Sequence, residues 1–559
     1  MREWPGSTER YGNGHRDGDG DGHGDGGGVE GGAGTEPGKG TSAGTGTGTG
    51  TGELVAGVLG RRRLLATGAG AAVTLNGVRF SAAPPAPEDP PDRHEVVRGV
   101  LPPGAPDYVY LPVELPPGVS ELRVSYTYDR PVVPAGTPGN ALDIGIFDPR
   151  GTALGGAGFR GWSGGARSEF FLRSDDATPG YLPGPIPPGT WHLVLGPYTV
   201  APQGLAYEVT VALRYGPGEP VSSPRYPPER ARGRGRAWYR GDCHLHSWFS
   251  DGRRTPGEIA ALARAAGLDF INSSEHNTHA AHPHWAEHAG DDLLILTGEE
   301  ITTRNGHVVA VGTDPGTFVD WRYRARENRF GRFAREIRRA GGLVVPAHPH
   351  ASCIGCAWKF GMGEADAVEV WNGSWSTEDE VSLQAWDAAL ARGRWTPAMG
   401  SSDAHRHPDP VGTPQTVVLA EGLTRAAVLE GLRRGHSYVV ESSAVTLGLT
   451  VTGGRGRSAG IGERLRVSGE TPVTVRLETA GTPGCSVRFV TDQGVLHTSA
   501  PVGESGSAVM RWETTPRYAT YVRAEVRHPV TVAGVPGRMA AFTNPVFLGY
   551  GEGGRDGDG

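Results

Sequence analysis

The sequence predicts a multidomain protein in which an α/β domain is flanked by two all-β domains. Three observations predict this architecture. Residues 95–215 alternate apolar and polar positions in short runs between Pro/Gly turns, as the strands of a β-sandwich do. Residues 238–443 instead alternate apolar strands with helical segments, which is typical of βα units around a largely parallel sheet or barrel. Over residues 444–550 the strand pattern returns without helices, so we predict a second β-sandwich.

The segment before the first sandwich has a different composition. Most of residues 1–54 are Gly, Asp, Thr, Glu and His, which offer too little apolar surface to offset the entropy of ordering, so we predict a disordered low-complexity tail. Residues 55–90 hold an Arg-Arg pair, Arg61 and Arg62, before an apolar Gly/Ala-rich stretch. This pattern is typical of a twin-arginine signal and predicts export to the cell envelope or the medium. If the match is a coincidence, the segment is a basic linker and the protein is cytoplasmic.

The remaining connections and the overall composition narrow the class of protein. Residues 216–237, rich in Pro and Arg, form a linker, and residues 551–559 form a second disordered tail. A net charge of −7 gives no general argument for a nucleic-acid-binding protein. No apolar run in the folded part approaches the roughly 18 residues of a membrane-spanning helix. Four cysteines are too few for a disulfide scaffold, but the CxxC of Cys353 and Cys356 predicts a local disulfide.

Four helices are predicted within the α/β domain, over residues 255–266, 329–340, 379–391 and 424–433. The first and the last begin at a Thr, which caps the first helical turn. In the second helix Phe330, Phe333 and Ile337 share one face, which predicts an apolar stripe pointing inward and a solvated face rich in Arg. The alternative for this Arg-rich segment, residues 322–339, is that it attracts an anionic substrate.

Histidine and acidic residues cluster where the predicted strands of this domain end. The clusters occur in the stretches GDCHLHSWFSDG, EHNT, GEEITTRNGH, AHPH and SDAH. His244 and His246, two residues apart, leave the same face of an extended strand because strand side chains alternate. The carboxyl ends of the strands open on one face of a β/α barrel, so we expect these side chains to converge. A mixed set of imidazoles and carboxylates predicts a site for several zinc, manganese or iron ions.

The order of these motifs resembles the polymerase and histidinol phosphatase (PHP) superfamily of metal-dependent hydrolases. The resemblance covers Trp238 to about Glu441, and the EHNT, AHPH and VEVWNG stretches are similar to those of exported carbaryl-hydrolase-like members. It implies that residues 238–443 form a distorted (β/α)7 barrel. It also implies two or three divalent ions, usually three, at the carboxyl ends of the strands.

The resemblance further implies which residues bind these ions. The first ion would be held by His244, His246, Asp403 and a bridging Glu300, the second by His307, His348 and the same bridge, and the third by Asp251, His276 and His405. Glu300 is preferred to Glu299 because the ligand of the family follows Gly298 by two residues, and alternation sends the two side chains to opposite faces of the strand. Glu275 is expected to support His276 rather than to bind metal.

Other polar residues of this domain carry plainer predictions. We expect four histidines on the surface of a helix: His279, His282, His284 and His288. His350 and His407 flank motif positions and are candidates for substrate contact. Asn372 is a candidate for lining the pocket, whereas Glu369 has either a site role or a structural one.

A site of this kind predicts hydrolysis by water, since bound divalent ions lower the pKa of water toward about 7. No Ser or Cys nucleophile is needed, and the α/β domain, residues 238–443, has no GxSxG. We name Glu300, His348 and His405 as catalytic residues; either histidine, or a bound water, would protonate the leaving group.

Three functions remain open at this point. The first is a phosphoesterase acting on a small-molecule or nucleotide-like anion, as either a phosphomonoesterase or an exonuclease working from the 5′ end of nucleic acid, since the resembled superfamily mostly cleaves such bonds. The second is a carbamate, ester or amide hydrolase that uses the same ions. The third is a non-catalytic cell-surface protein whose sandwiches bind glycan, and nine intact ligand positions argue against it. The sequence does not predict an oligomeric state.

Overall fold

The computed structural model describes residues 91–221 and 223–550. The predicted N-terminal tail, the whole predicted twin-arginine segment of residues 55–90 and the predicted C-terminal tail lie outside these ranges. The described residues belong to one compact unit, made mostly of strands with four α-helices. None of these helices is long and apolar enough to cross a membrane. The multidomain, mostly β architecture is therefore confirmed.

Eight strands form a β-sandwich in residues 93–215. They are β1 Arg93–Leu101, β2 Val109–Leu115, β3 Val119–Tyr128, β4 Ala141–Phe147, β5 Phe159–Gly164, β6 Glu169–Arg173, β7 Gly189–Thr199 and β8 Leu205–Tyr215. Two four-stranded antiparallel sheets have the orders β1-β8-β3-β6 and β2-β7-β4-β5. Both sheets contribute to one hydrophobic core, with Leu122 and Val209 from the first and Ile144 and Trp191 from the second.

The central region holds all four α-helices. Its elements are β9 Ala237–Asp242, α1 Pro256–Ala265, β10 Phe270–Ser273, β11 Leu294–Thr297, β12 Glu299–Thr303, β13 Gly306–Val311, α2 Phe330–Arg339, β14 Leu343–Ala347, β15 Val368–Asn372, α3 Thr377–Ala391, β16 Ala398–Ser401, β17 Gln415–Ala420, α4 Arg425–Arg433 and β18 Ser437–Val440. The predicted helices are confirmed. Thr255 and Thr424 cap α1 and α4, and Ser376 caps α3, each by accepting a backbone N–H of the first turn.

Strand pairing in this region is mixed, so the expected largely parallel sheet is seen only in part. β9, β10 and β11 pair in parallel, as do β15 and β16. In contrast, β12, β13 and β14 form an antiparallel sheet, and β17 pairs antiparallel with both β9 and β18. These separately hydrogen-bonded sheets lie side by side, with β14 beside β15 and β16 beside β17. Hydrogen bonding therefore divides the central region into three pieces rather than one parallel barrel.

The reversal at β13 explains the position of His307. Arg304 and Asn305 form the turn that joins β12 to β13, and Gly306, the first residue of β13, has a φ of 114°, which favours glycine. Because β13 runs opposite to β14, its first residues lie at the carboxyl end of β14, and His307 pairs with Ala347. A histidine that begins its strand thus reaches the edge at which the other ligands end theirs.

The C-terminal region forms a second pair of sheets. Its strands are β19 Thr446–Gly453, β20 Arg457–Gly460, β21 Arg464–Leu465, β22 Val473–Ala480, β23 Ser486–Thr491, β24 Gly494–Thr498, β25 Ala508–Thr514, β26 Tyr521–Arg527, β27 Met539–Thr543 and β28 Val546–Leu548. One sheet has the order β20-β19-β22-β25, and the other contains β27-β26-β23-β24. The second sheet continues the central one, because β27 pairs with β18. The domain boundary predicted near residue 443 lies in the loop between β18 and β19, and one sheet contains strands from both sides of it.

The Arg-rich segment 322–339 has a structural role. Phe330, Phe333 and Ile337 are buried, as their spacing predicts. Several of its arginines pair with carboxylates: Arg322 with Asp320, Arg324 with Asp107, Arg332 with Glu336, and Arg338 with Glu364 and Asp366. The charges of these four arginines are neutralised locally, which favours the structural interpretation, and the attraction of an anionic substrate by the segment stays a prediction.

Candidate metal centre

All nine predicted ligands lie together at one edge of the central strands. His244 and His246 follow β9, Asp251 lies in the next turn, His276 follows β10, Glu300 and His307 lie in β12 and β13, His348 follows β14, and Asp403 and His405 follow β16. Their ligand atoms form four overlapping groups, each with all atoms within 4.8 Å of one another. The groups are His246, Asp251, His276 and His405; His244, His246 and Glu300; His244, His348 and Asp403; and Glu300, His307 and His348. The structure thus brings the whole predicted set into one cluster.

The centre of the cluster is the Glu300 carboxylate, which is fully buried. Five imidazoles surround it: His276 Nδ1 at 2.7 Å, His307 Nδ1 at 3.0 Å, His348 Nε2 at 3.3 Å, and the Nε2 atoms of His244 and His246 at 3.4 Å. The neighbouring Glu299 points to the other face of β12, where its Oε2 accepts the Val319 N–H at 3.0 Å. Strand alternation therefore separates the two carboxylates as predicted, and only Glu300 is placed to bridge ions.

The unpartnered atoms of the cluster test whether its residues fit metal ions. Seven buried side-chain atoms make no well-oriented hydrogen bond among the described residues, although some of them lie within ion-pair distance of each other, as His246 Nε2 and Asp403 Oδ1 do at 3.0 Å. They are His244 Nε2, His246 Nδ1 and Nε2, Glu300 Oε2, His307 Nε2, His348 Nδ1 and Asp403 Oδ1. Each buried polar atom left unpaired costs about 1–3 kcal/mol, so native proteins rarely concentrate them. Imidazole nitrogens and carboxylate oxygens are ligands of zinc, manganese and iron. The donor set therefore fits divalent ions.

Charge within the cluster is balanced by protons on the imidazoles. Burial alone raises the pKa of Glu300, but His276 and His244 outweigh it and hold that pKa well below its usual value. Burial lowers the pKa of His244, but Asp403 and Glu300 outweigh it and raise that pKa well above its usual value. For His246, burial and the neighbouring imidazoles lower the pKa to about 3, so this ring is neutral. Because metals bind neutral imidazole, cation binding here would release protons.

Glu369 links three parts of the centre. Its Oε1 accepts the His244 Nδ1–H at 3.1 Å, while its Oε2 accepts the backbone N–H of His348 at 2.8 Å and the side-chain amide of Asn372 at 3.0 Å. The bond to Nδ1 fixes the tautomer and the orientation of the ring, so that Nε2 faces the other ligands. Asn372 also donates to Asp403 Oδ2 at 3.3 Å. The geometry gives Glu369 the positioning role that its sequence left open.

Two of the candidate ligands have strained backbones. His348 has a φ of 27° and Asp403 a φ of 49°. Residues other than glycine rarely adopt positive φ, because the Cβ atom crowds the backbone, and such strain is concentrated at functional sites. Hydrogen bonds hold both residues: the His348 N–H donates to Glu369, and the Asp403 N–H donates to the His244 carbonyl at 2.8 Å.

Glu275 supports the loop that carries Asp251. Its carboxylate accepts the backbone N–H of Ser247 at 3.1 Å and the hydroxyl of Ser250 at 2.6 Å. These bonds hold the turn between His246 and Asp251. Glu275 therefore has a supporting role, as predicted, but it stabilises the loop that carries Asp251 rather than the adjacent His276.

The expectation of surface histidines on a helix after β10 is wrong for His279, whose ring packs against Phe159 and Phe318, and for His282. His282 carries the clearer structural role. This residue begins a short 3-10 helix and is fully buried. Its Nε2–H donates to the Gly298 carbonyl at 2.8 Å, and its Nδ1 accepts the Gly316 N–H at 3.0 Å. Two backbone groups thus satisfy both ring nitrogens, which makes His282 a structural residue. A single sequence could not show this, because both partners come from distant loops.

The structure places His350 and His407, the two candidates for substrate contact beside the motifs, outside the walls of the cavities at the metal cluster. His350 Nδ1 lies 3.1 Å from the hydroxyl of Ser382 on α3. His407 is exposed. Neither lines the two cavities that open onto the metal cluster, whereas Asn372 does line one of them, as predicted.

Those two cavities differ in their walls. The first, of about 330 Å³, lies among His348, Asp403 and His405, and its far wall contains the Cys353–Cys356 disulfide. The CxxC prediction is thus confirmed. The second, of about 420 Å³, is shared between the metal cluster and the N-terminal sandwich. Its lining includes Asp251, His276 and His307 from the cluster, Asp143, Trp162 and Tyr198 from the sandwich, and Arg304 from the β12–β13 turn. The sequence analysis missed these four additional residues; only Arg304 carries a local signal, its place inside the GEEITTRNGH motif.

Comparison with known proteins gives structural similarities only. No protein-family model and no curated protein matches this sequence. A two-domain protein from Bacteroides vulgatus, described as containing a predicted PHP-like metal-dependent phosphoesterase, is 17% identical with a TM-score of 0.32, over 58% of this chain and 100% of its own. A candidate metal-dependent phosphoesterase from Bifidobacterium adolescentis is 21% identical with a TM-score of 0.24, over 35% and 93% of the two chains. An amidohydrolase from Chromobacterium violaceum with bound sulfate and no metal is 20% identical with a TM-score of 0.23, over 31% and 89%. Similarities at these scores carry no argument about activity.

Proposed function

We propose that this protein is a metal-dependent hydrolase of the PHP superfamily and that it cleaves phosphate esters. One observation carries the proposal: nine imidazoles and carboxylates from five separate stretches of chain converge around Glu300, and seven of their buried atoms make no well-oriented hydrogen bond within the described part of the chain. The order of the motifs along the chain supports the choice of superfamily. As part of the proposal, we interpret the three pieces of sheet in the central region as a distorted (β/α)7 barrel.

Two or three divalent ions would be held by the nine residues, with Glu300 as the bridge. When bound, such ions activate water for attack and neutralise charge on the group attacked. The chain itself orients the ligands. His405 Nδ1–H donates to the Asp403 carbonyl at 2.8 Å, which leaves Nε2 facing Asp251 at 3.3 Å.

The chain also offers two candidates for the proton that the leaving group needs. His348 and His405 both line the cavity of about 330 Å³ beside the cluster. His405 has no free N–H while its Nε2 holds an ion, because its Nδ1–H donates to the Asp403 carbonyl. His348 Nδ1 makes no hydrogen bond among the described residues, so His348 is the better candidate. Proton donation by a positioned imidazole is a common form of general acid catalysis.

A phosphate ester suits this site better than a carbamate. Several cations supply more positive charge than one neutral acyl oxygen requires, whereas a phosphoryl group presents several anionic oxygens that can bridge them. The carbamate, ester or amide hydrolase remains the alternative, and it would use the same ligands.

Elemental analysis and a matched substrate panel test the proposal. Metal-replete protein should contain two or three transition-metal ions per chain, and zero or one would refute the multinuclear site. Asp403→Ala should abolish hydrolysis of p-nitrophenyl phosphate, while Asp291→Ala, at an exposed pair with Arg232, should not. Carbamate turnover about a hundredfold faster than that of any phosphate ester with the same leaving group, compared as kcat/KM, would establish the alternative.

A further inference from the structure

The N-terminal sandwich forms one wall of the larger cavity at the metal cluster. Asp251, His276 and His307 lie on the metal side, and Asp143 and Trp162 lie on the side of the N-terminal sandwich. Hydrogen bonds hold the two sides together: the Thr278 hydroxyl donates to the Gly180 carbonyl at 2.9 Å, and the Gly155 N–H donates to Asp320 at 2.8 Å. A volume of about 420 Å³ lies within the range of small-molecule sites, roughly 300–1,000 Å³. The sandwich therefore shapes the space next to the candidate ligands.

Arg304 is the cationic group of this cavity. It lies in the β12–β13 turn, and its guanidinium carbon lies 4.3 Å from the centroid of the Tyr198 ring, which belongs to the sandwich. Its Nη1–H donates to the Tyr198 carbonyl at 2.8 Å. Its Nη2 is buried and has no hydrogen-bond partner among the described residues. A guanidinium stays charged, so an unpaired buried N–H of this group favours an anionic oxygen from outside the chain.

Aromatic rings form a second part of the wall. Trp162 and Trp321 lie 4.8 Å apart between centroids, and Tyr108 lies 6.3 Å from each of them. All three line the cavity, but Trp162 and Trp321 are buried in a hydrophobic core, so the half-buried Tyr108 ring in front of them offers the surface on which a flat apolar group packs. Asp143 lies in the same wall, where burial raises its pKa to about 6 although Arg304 lowers it. The unpaired Arg304 Nη2 is thus the place for an anionic group of a ligand, against the charge of Asp143, and the rings are the place for its apolar part.

We infer that the N-terminal sandwich is part of the substrate site and selects small phosphate esters with a flat apolar alcohol portion. Arg304, braced by Tyr198, binds an anionic oxygen of the substrate. The Tyr108 ring, held in place by Trp162 and Trp321, receives the flat portion. The inference rests on the proposed phosphoesterase function and deepens it, because it names the class of ester.

Binding of two non-hydrolysable probes tests this inference separately from turnover. Titration calorimetry with metal-replete protein should show that phenylphosphonate binds at least about tenfold more tightly than methylphosphonate. Arg304→Gln should weaken the binding of both probes about 10–100-fold, as expected for a lost charged hydrogen bond, without changing the metal content. Trp162→Leu should weaken phenylphosphonate selectively, and Arg517→Gln, at an exposed pair with Glu470, is the control that should change neither.

The outcomes distinguish a failure of this inference from a failure of the proposed phosphoesterase function. Equal affinities of the wild type for both probes, or wild-type affinities in Arg304→Gln and Trp162→Leu, would overturn the inference. If Trp162→Leu fails to fold, Tyr108→Leu, at a half-buried ring, provides the same comparison. If metal-replete wild type hydrolyses no phosphate ester, the proposed function fails, and the binding data still decide whether the wall recognises an aryl anion.

Discussion

Replacing Glu369 by Gln changes the charge and one acceptor of a side chain that is 2% exposed, and leaves its size unchanged. Both carboxylate oxygens accept hydrogen bonds, Oε1 from His244 and Oε2 from His348 and Asn372. An amide has only one oxygen, so in either orientation its NH2 group faces a donor. The structure therefore offers no rotamer flip that rescues the variant.

The expected loss follows from this mismatch. A buried group left without its partner costs about 1–3 kcal/mol. The ring of His244 is then free to turn or to take the other tautomer, which removes a preorganised ligand. Substitution of a residue that orients a metal ligand typically lowers metal affinity about 10–100-fold, which corresponds to about 1.4–2.7 kcal/mol. The two estimates agree in size, so we expect Zn²⁺ to bind Glu369→Gln about 10–100-fold more weakly.

The assay is a Zn²⁺ titration in competition with a chromophoric chelator, with thermal unfolding of the metal-free protein measured in parallel. Glu421→Gln is the matched control, because Glu421 is exposed and pairs only at the surface with Arg236. Wild-type Zn²⁺ affinity in a folded Glu369→Gln variant would refute the positioning role. A loss of stability without a loss of affinity would show that Glu369 is merely structural.

Two further predictions concern the contact between the central and C-terminal regions. Burial raises the pKa of Glu525, but Arg523 and Arg527 outweigh it and lower that pKa to about 2, from an ordinary 4.5. A carboxyl with a lowered pKa in the folded state stabilises the protein above pH 4.5, and this contribution is lost as the pH falls through about 2. Denaturant unfolding at pH 7 should therefore show Glu525→Gln less stable than the wild type by up to about 3 kcal/mol, and this difference should shrink below pH 4.5. The exposed control Glu470→Gln should show no such change. A stability difference that does not depend on pH would contradict the prediction. Phe542→Ala, at a fully buried position paired with Val439 across the β18–β27 seam, should cost about 3–5 kcal/mol and lower the stability of both regions in one calorimetric transition. Two transitions, with the central one unchanged, would show that the seam does not couple them.

The sequence by itself determined the features that depend on local chemistry. Helix starts could be predicted because Thr255 and Thr424 accept backbone N–H groups only a few residues away. The inward stripe of α2 follows from helical periodicity alone. The candidate ligands could be named because they occur as short motifs at strand ends, and the choice of Glu300 over Glu299 needed only the alternation of a strand.

Only the tertiary structure decided the features that depend on distant partners. Glu369 is a positioning residue because His244, 125 positions away in the chain, donates to it. The seam between β18 and β27 joins residues about a hundred positions apart, so one sheet combines strands from both sides of the boundary predicted near residue 443. Arg304 and Trp162 share a cavity because the sandwich packs against the metal cluster. No local pattern encodes such pairings, since burial and hydrogen-bond partners at long sequence separation are set when the whole chain packs.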